Sequence, residues 1–219
     1  MNYHHRNING QTLDLPLGKV VCVGRNYVEH AKELNNPVPS EPILFIKPAT
    51  TLVPYLNPID STGSPYPLHY ELEIAILIQE TLKNATAEEA KAAVGGVGLS
   101  LDLTYRCVQS KLKEKGHPWE KAKAFDGSCP TSEFVTHPNL DLDSLSLKLE
   151  INDELRQSAT ASEMIVDIVS LLQYASTHFS LVPGDILLTG TPAGVGVLKP
   201  GDTLVASLGD LISTNTTVV

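Results

Sequence analysis

Apolar and polar residues alternate along residues 68–78, which read LHYELEIAILI. Every second residue from Leu72 to Ile78 is aliphatic, as in a β-strand with one face in the core, and the opposite face carries Glu71 and Glu73. Two carboxylates on one face of a strand repel each other, and burial would disfavour both charges. The pattern therefore predicts a half-buried strand, and its two acids need a partner.

The rest of the chain predicts more strands than helices. Short apolar runs bounded by glycine, proline or turn residues predict strands at 19–24, 41–48, 97–104 and 145–152. Helical spacing or capping signals predict helices at 26–34, within 84–96, at 104–115 and at 161–177, the last capped by Ser162. Residues 117–130 are predicted to be an irregular loop. This order favours a mixed β-rich (α+β) fold with a few short helices over a doubly wound parallel sheet.

The chain has 219 residues, 42% of them hydrophobic, which is enough for one domain over residues 1–219. A formal net charge of −9, without a basic run, argues against nucleic acid or an anionic membrane as a partner. The polar N-terminus and the lack of an apolar run of about 18 residues predict a cytoplasmic protein. Cys22, Cys107 and Cys129 fit no zinc motif, and we expect them to be reduced and buried.

A third acid, Asp102, lies on the polar side of the strand predicted at 97–104. If this strand pairs with residues 68–78, three carboxylates converge. Three oxygen ligands suit Mg²⁺ or Mn²⁺, which keep open positions for water or substrate. The pattern alone leaves a second interpretation open, in which the two glutamates line a solvated face and Asp102 bonds a turn.

Two further features are candidates for chemistry. His30 and Glu33 are spaced i, i+3 and share a helix face, where a carboxylate can turn an imidazole into a general base, although such pairs also occur by chance on surfaces. Residues 184–196, GDILLTGTPAGVG, lead from a strand into a loop whose backbone N–H groups could approach an anion. This loop lacks the lysine of a phosphate-binding P-loop, and its glycines could also be simple turn residues.

Taken together, these segments resemble the fumarylacetoacetate hydrolase family, and within it the short single-domain acylpyruvase type. Seven blocks follow the order of that family: VVCVGRNYVEHAKE, EPILFIKP, LHYELEIAILI, VGLSLDLTYRCVQ, PWEKAKAFDGSCP, INDELRQ and GDILLTGTPAGVG. The resemblance implies a β-sandwich roll, a homodimer, and Mg²⁺ or Mn²⁺ held by a Glu-x-Glu strand and a following aspartate. In this chain those ligands are Glu71, Glu73 and Asp102.

The resemblance also implies roles for residues outside the acidic set. The catalytic candidates are His30, Glu33 and Lys123, and the substrate-binding candidates are Arg25, Arg106, Gln109, Gly190 and Thr191. Two positions depart from the pattern of many relatives, with Tyr70 in place of a histidine and Cys107 in place of an aspartate. Neither departure removes a ligand, and both bear on the choice of substrate.

The function implied is Mg²⁺-dependent cleavage by water of a carbon–carbon bond in acylpyruvates, which are 2-oxo acids, to give pyruvate and a carboxylate. Oxaloacetate decarboxylation forms the same pyruvate enolate, so we expect it as a further activity. The alternatives are an isomerase or decarboxylase of enol diacids such as 2-hydroxyhepta-2,4-dienedioate, and a non-catalytic protein that binds a 2-oxo acid. His30, Glu33 and Lys123 favour an enzyme, because simple binding needs no water-activating pair.

Overall fold

The computed structural model describes residues 3–136 and 140–219, and in these residues strands outnumber helices. The strands are β1 (Val20–Gly24), β2 (Ile43–Lys47), β3 (Leu52–Pro54), β4 (His69–Tyr70), β5 (Leu72–Ile78), β6 (Val94–Leu101), β7 (Cys129–Thr131), β8 (Ser146–Ile151), β9 (Glu154–Thr160), β10 (Ile186–Leu188), β11 (Gly196–Val197), β12 (Thr203–Leu208) and β13 (Ile212–Thr217). The α-helices are α1 (Val28–Glu33), α2 (Ala87–Ala92), α3 (Arg106–Glu114), α4 (Glu120–Lys123) and α5 (Ile168–His178). The predicted mixed β-rich (α+β) fold class is confirmed.

Two sheets enclose most of the core. The larger sheet has seven strands in the order β2-β1-β10-β5-β6-β7-β3, and the smaller is antiparallel in the order β13-β12-β8-β9. β5 lies at the centre of the larger sheet and runs antiparallel to both of its neighbours. Ile74 and Ile76 of β5 share one hydrophobic cluster with Leu147, Leu149 and Leu204 of the smaller sheet. This packing of sheet on sheet fixes β5 in the middle of the molecule.

β5 is buried on both faces, so the prediction of a half-buried strand is wrong. Ala75 and Leu77 belong to a second hydrophobic cluster, against which leucines of residues 13–17 pack. Alternation shows which side chains share a face but not what covers that face. Glu71 and Glu73 lie on the same side of the chain as Ala75 and Leu77, and both are buried.

The helix predicted at 161–177 is shorter in the structure. α5 begins at Ile168, and its cap is Asp167, whose carboxylate accepts a backbone N–H at 2.9 Å. The predicted cap Ser162 lies in a separate 3-10 turn, Ala161–Glu163, which has a capping box of its own. The apolar pattern therefore continues across a break in the helix, because local capping side chains decide where a helix starts.

Several other local predictions are confirmed. Thr86 and Glu89 form the expected capping box of α2, and β8 and β9 form a hairpin with positive φ at Asn152 and Asp153. The loop predicted at 117–130 is wrong in one respect, because it contains the single-turn helix α4.

The cysteines differ from the expectation in one case, because Cys22 and Cys129 are buried whereas Cys107 is exposed; all three are free thiols. None of the described helices is both long and apolar enough to cross a membrane. The organisation of residues 1–219 as one domain stays a prediction.

Candidate metal and active site

Three acidic side chains converge where β5 and β6 lie side by side. Glu71 precedes β5, Glu73 is its second residue, and Asp102 directly follows β6. The N–H of Asp102 donates to the carbonyl oxygen of Glu71 at 2.8 Å. One carboxylate oxygen from each acid lies within 4.8 Å of the others, and all three side chains are buried. Pairing of consecutive strands thus brings together the acids that the sequence placed on two separate strands.

Two cationic side chains contact these acids. The ammonium of Lys123 donates to Oε2 of Glu71 at 2.8 Å, to Oδ2 of Asp102 at 2.5 Å and to Oγ1 of Thr104 at 2.7 Å. The guanidinium of Arg106 donates to Oε1 of Glu71. Burial alone would raise the pKa of Glu71, but Lys123 and Arg106 lower it below its usual range. Burial alone would lower the pKa of Lys123, but the two carboxylates raise it, so both groups are charged at neutral pH.

A third cation, Lys47 at the end of β2, is fully buried. Its ammonium lies 2.9 Å from Oδ1 of Asp102, but it donates its hydrogen bonds to the carbonyl oxygens of Lys123 and Ser128 and to the Ser128 hydroxyl. Oδ1 of Asp102 therefore accepts no hydrogen bond from the described residues. Sequence analysis missed Lys47, although a lysine that directly follows the apolar run ILFI can signal a buried charge that needs a partner.

Glu73 forms no ion pair with any described residue. Its Oε2 accepts the N–H of Gly190 at 2.7 Å. Burial and the nearby charges of Asp102 and Glu71 raise the pKa of Glu73 well above its usual range. A divalent cation would lower that pKa, because it attracts all three carboxylates.

The donor set fits a hard divalent cation. It consists of carboxylate oxygens, which Mg²⁺ and Mn²⁺ prefer, and one of them, Oδ1 of Asp102, accepts no hydrogen bond from the described residues, although the Lys47 ammonium lies 2.9 Å away. Lys123 and Arg106 hold Glu71 in the ionised form that a metal ligand requires. Glu71, Glu73 and Asp102 are therefore able to hold such an ion.

His30 and Glu33 share one side of α1, as their spacing predicted. Nδ1 of His30 lies 3.2 Å from Oε2 of Glu33, and Oε1 of Glu33 accepts the N–H of Gly194 at 3.0 Å. Burial lowers the pKa of His30, although the charges of Glu71 and Glu33 oppose this shift. With its Nδ1–H directed to Glu33, the neutral ring keeps a lone pair on Nε2. This arrangement is that of a general base.

A pocket that is partly open to solvent contains His30 and the three acids. Four of the five predicted substrate-binding residues line it, namely Arg25, Arg106, Gln109 and Thr191. Arg106 donates to Oε1 of Gln109 at 2.7 Å, and its own Nε has no hydrogen-bond partner among the described residues. Arg25 has a φ of +61°, a left-handed conformation that costs energy for any residue with a Cβ and is enriched at functional sites.

Lys113 of α3 lines the same pocket. Its ammonium donates to Oδ1 of Asn36 at 3.0 Å. Burial and the charges of Arg25 and Arg106 lower the pKa of Lys113. Sequence analysis missed this residue because helical spacing does not show which face borders a pocket formed by distant segments. Lys113 thus adds a third cation, beside Arg25 and Arg106, to the lining of this pocket, and such cations can attract an anionic group.

The glycine-rich loop binds carboxylates of the protein itself. The N–H groups of Gly190 and Gly194 donate to Glu73 and Glu33, and Gly190 is not among the residues that line the pocket. The structure thus places Gly190 behind a candidate metal ligand, and the expectation that it contacts substrate directly has no support in this geometry.

The two departures from the family pattern also lie away from the pocket. Tyr70 packs against Gly196, whose added Cβ would lie 2.8 Å from the Tyr70 hydroxyl oxygen, and Cys107 is exposed on α3. Neither residue lines the pocket of the three acids. These two departures therefore change none of the residues that line this pocket.

Comparisons with known proteins agree on one family. The family model described as fumarylacetoacetate (FAA) hydrolase C-terminal matches residues 19–219. Oxaloacetate tautomerase YcgM of Escherichia coli (strain K12) is 48% identical over 207 residues, which are 94% of each chain. The mitochondrial oxaloacetate tautomerase FAHD1 of Homo sapiens is 43% identical over 195 residues, or 89% of this chain and 88% of the relative. Fumarylpyruvate hydrolase from Pseudomonas aeruginosa, solved in complex with Mn²⁺ and pyruvate, has a TM-score of 0.90 and 31% identity, and the match covers 97% of this chain and 94% of that one.

Proposed function

The chain belongs to the fumarylacetoacetate hydrolase family, and on this premise we propose that it is a metal-dependent enzyme that interconverts the enol and keto forms of oxaloacetate. The observation that carries this proposal is the charge distribution of one pocket. The three acids lie together with His30, and Arg25, Arg106 and Lys113 line the same pocket. Oxaloacetate has two carboxylates and a 2-oxo group, so its charges complement these cations.

Glu71, Glu73 and Asp102 would hold Mg²⁺ or Mn²⁺, which supplies Lewis-acid stabilisation for an oxygen that becomes negative. The ammonium of Lys123 adds positive charge beside the same acids. All of its described hydrogen bonds go to Glu71, Asp102 and Thr104, so Lys123 acts on the site through its field and by fixing these acids.

His30 would carry the proton. In the keto-to-enol direction, Nε2 of the neutral ring takes a proton from C3 of oxaloacetate, and the electron pair moves to the C2 oxygen. Glu33 stabilises the imidazolium that results, because its carboxylate contacts Nδ1. The same imidazolium then returns the proton to the C2 oxygen, so that the exchange leaves His30 neutral and produces the enol.

Arg106 and Gln109 would fix the substrate carboxylate beside the 2-oxo group. The Nε–H of Arg106 has no partner among the described residues, and Gln109 presents its amide beside it. Arg25 and Lys113 would then contact the distal carboxylate, which oxaloacetate has and acetylpyruvate lacks. The names of the relatives at 48% and 43% identity support the same substrate.

Hydrolysis of acylpyruvates is the second candidate function. The pair of buried His30 and partly exposed Glu33 could equally activate water, and the structural neighbour at 31% identity is a fumarylpyruvate hydrolase. In that reaction hydroxide attacks the distal carbonyl and the pyruvate enolate leaves. Decarboxylation of oxaloacetate forms the same enolate. One site could therefore perform both acylpyruvate hydrolysis and oxaloacetate decarboxylation as side reactions.

One set of assays distinguishes these candidates. Purified protein with Mn²⁺ or Mg²⁺ is given enol-oxaloacetate, and loss of the ultraviolet absorbance of the enol is followed; pyruvate release is measured in parallel from oxaloacetate and from acetylpyruvate. We expect loss of the enol to be faster than pyruvate release. His30→Ala should slow the loss of the enol, whereas His178→Ala, a change at an exposed histidine, should not. Faster pyruvate release from acetylpyruvate would favour the hydrolase. Binding of oxaloacetate without any turnover would identify a 2-oxo acid binding protein.

We further propose a homodimer, as the family resemblance implies, with sedimentation velocity as its test. A monomer at micromolar concentration contradicts it. The acidic net charge supports the proposal that nucleic acid is not a partner.

A further inference from the structure

Gln157 of β9 is a buried side chain outside the pocket, and all its hydrogen-bonding groups point toward the site. Its Oε1 accepts the N–H of Leu72 at 2.9 Å. Its Nε2 donates to Oγ1 of Thr191 at 2.8 Å and to the carbonyl oxygen of Pro192 at 2.9 Å. A glutamine amide has two N–H donors, and here both are used by the glycine-rich loop. The amide oxygen contacts β5, so this side chain connects the strand to the loop.

Leu72 is the residue between Glu71 and Glu73. Its N–H is bound by Gln157, and its carbonyl oxygen accepts the hydroxyl of Thr191 at 2.8 Å. Both peptide groups that flank Leu72 are thereby fixed. Because the two glutamates extend from the backbone on either side of Leu72, these bonds determine how their carboxylates are spaced.

The same contacts hold the loop that supports the general base. Gly194 has a φ of +100°, and a Cβ there would lie 1.8 Å from the carbonyl oxygen of Arg156, the residue before Gln157. The loop therefore lies directly on the backbone of β9. From that position the N–H of Gly194 donates to Glu33 and the N–H of Gly190 donates to Glu73.

We infer that Gln157 is a positioning residue that sets the geometry of the candidate metal ligands and of the His30–Glu33 pair at the same time. It acts through Leu72 on the acids and through Thr191 and Pro192 on the loop. This inference rests on the metal site of the proposed function. Partners that orient metal ligands through hydrogen bonds usually contribute about 10–100-fold to metal affinity.

The test is Gln157→Met, which keeps the length of the side chain and removes its polar groups. Calorimetric titration with Mn²⁺, carried out well below the melting temperature, is expected to give a Kd about 10–100-fold weaker than that of the wild type. Exchange of the Leu72 amide proton, followed by NMR in metal-free protein, is expected to accelerate. Ser158→Ala is the matched control, because Ser158 is the next residue of β9 and is exposed.

A purely structural role would lower the melting temperature of Gln157→Met and leave the Kd of the folded protein unchanged. If that variant does not fold, Gln157→Asn provides the test. Asparagine retains the amide but is one methylene too short to reach both Leu72 and Pro192. Mn²⁺ is expected to bind this variant about tenfold more weakly than it binds the wild type. Wild-type protein that binds no Mn²⁺ overturns the proposed metal site. Wild-type protein that binds Mn²⁺, with both folded variants within twofold of it, overturns the role of Gln157 alone.

Discussion

The ammonium of Lys47 lies 2.9 Å from Oδ1 of Asp102, and both side chains are buried. The hydrogen bonds of this ammonium go to the carbonyl oxygen of Lys123, the last residue of α4, and to the carbonyl and hydroxyl oxygens of Ser128. One lysine from β2 thus holds both a candidate metal ligand and the backbone that carries Lys123. Its charge offsets part of the repulsion among the three acids.

Substitution of this lysine is expected to be costly. Lys47→Met leaves a buried carboxylate with one cation fewer, and we expect the free energy of unfolding to fall by about 3–5 kcal/mol. Mn²⁺ is expected to raise the melting temperature of the variant more than that of the wild type, because the ion replaces the missing positive charge. Calorimetric melting with and without Mn²⁺ measures both effects.

Lys32→Met serves as the control, because Lys32 forms an exposed ion pair with Glu29 and its loss should change stability by less than about 1 kcal/mol. A Lys47→Met variant as stable as this control contradicts the charge-balancing role of Lys47.

Sequence analysis could pair Glu71 with Glu73 and His30 with Glu33 because both pairings depend on local periodicity. Glu71 and Glu73 share a face because strands repeat every two residues, and His30 and Glu33 share a face because helices repeat every 3.6. To predict that Asp102 lies near these glutamates, it was enough to assume that consecutive strands pair, which is common.

Lys47 and Gln157 could not be predicted from periodicity. In the large sheet β1, β10 and β5 separate β2 from β6, so the contact between Lys47 and Asp102 does not come from the pairing of neighbouring strands. Gln157 lies in the other sheet, and its contacts depend on how the two sheets pack. Such contacts between distant segments leave no periodic signal in the sequence.

The pH dependence of the reaction provides a second prediction. In the proposed reaction His30 acts as a base in its neutral form. Burial lowers its pKa from 6.5, so the acid limb of kcat/KM is expected below pH 6.5. Glu33 raises the pKa of His30, so Glu33→Gln should move this limb to lower pH. The same change should lower kcat about 100-fold, because glutamine stabilises the imidazolium less well.

Initial rates between pH 4.5 and 8 measure both effects. Glu29→Gln, an exposed change on the same helix, should leave the profile unchanged. A limb at the same pH in wild type and in Glu33→Gln contradicts the assignment of His30 as the titrating base.

Glu73 provides a third prediction, on stability in the absence of metal. In the folded chain the pKa of Glu73 is raised from its ordinary value of 4.5. Above pH 4.5 the folded state therefore binds more protons than the unfolded state. Because of this difference, Glu73 makes the free energy of unfolding fall as pH rises. Glu73→Gln removes the group whose titration opposes folding, and we expect metal-free protein at pH 7 to melt at a higher temperature than wild type. The same variant should bind Mn²⁺ at least about 100-fold more weakly, because a ligand is lost.

Melting curves at pH 5 and pH 7 and calorimetric Mn²⁺ titration measure this trade-off. The exposed Glu80→Gln should change neither quantity. A Glu73→Gln variant that binds Mn²⁺ as wild type does would remove Glu73 from the ligand set.

Lys113 provides the prediction that tests substrate choice. If it contacts the distal carboxylate of oxaloacetate, Lys113→Met should raise KM for oxaloacetate about tenfold, equivalent to about 1.4 kcal/mol, because one charge-assisted hydrogen bond is lost. KM for acetylpyruvate, or its inhibition constant if it is not turned over, should stay within about twofold, since this compound has only one carboxylate. Lys111→Met is the control, because Lys111 is exposed on the same helix. An equal rise in KM, or in the inhibition constant, for both compounds would show that Lys113 acts on the carboxylate they share. The proposed preference for a diacid would then have to rest on Arg25 alone.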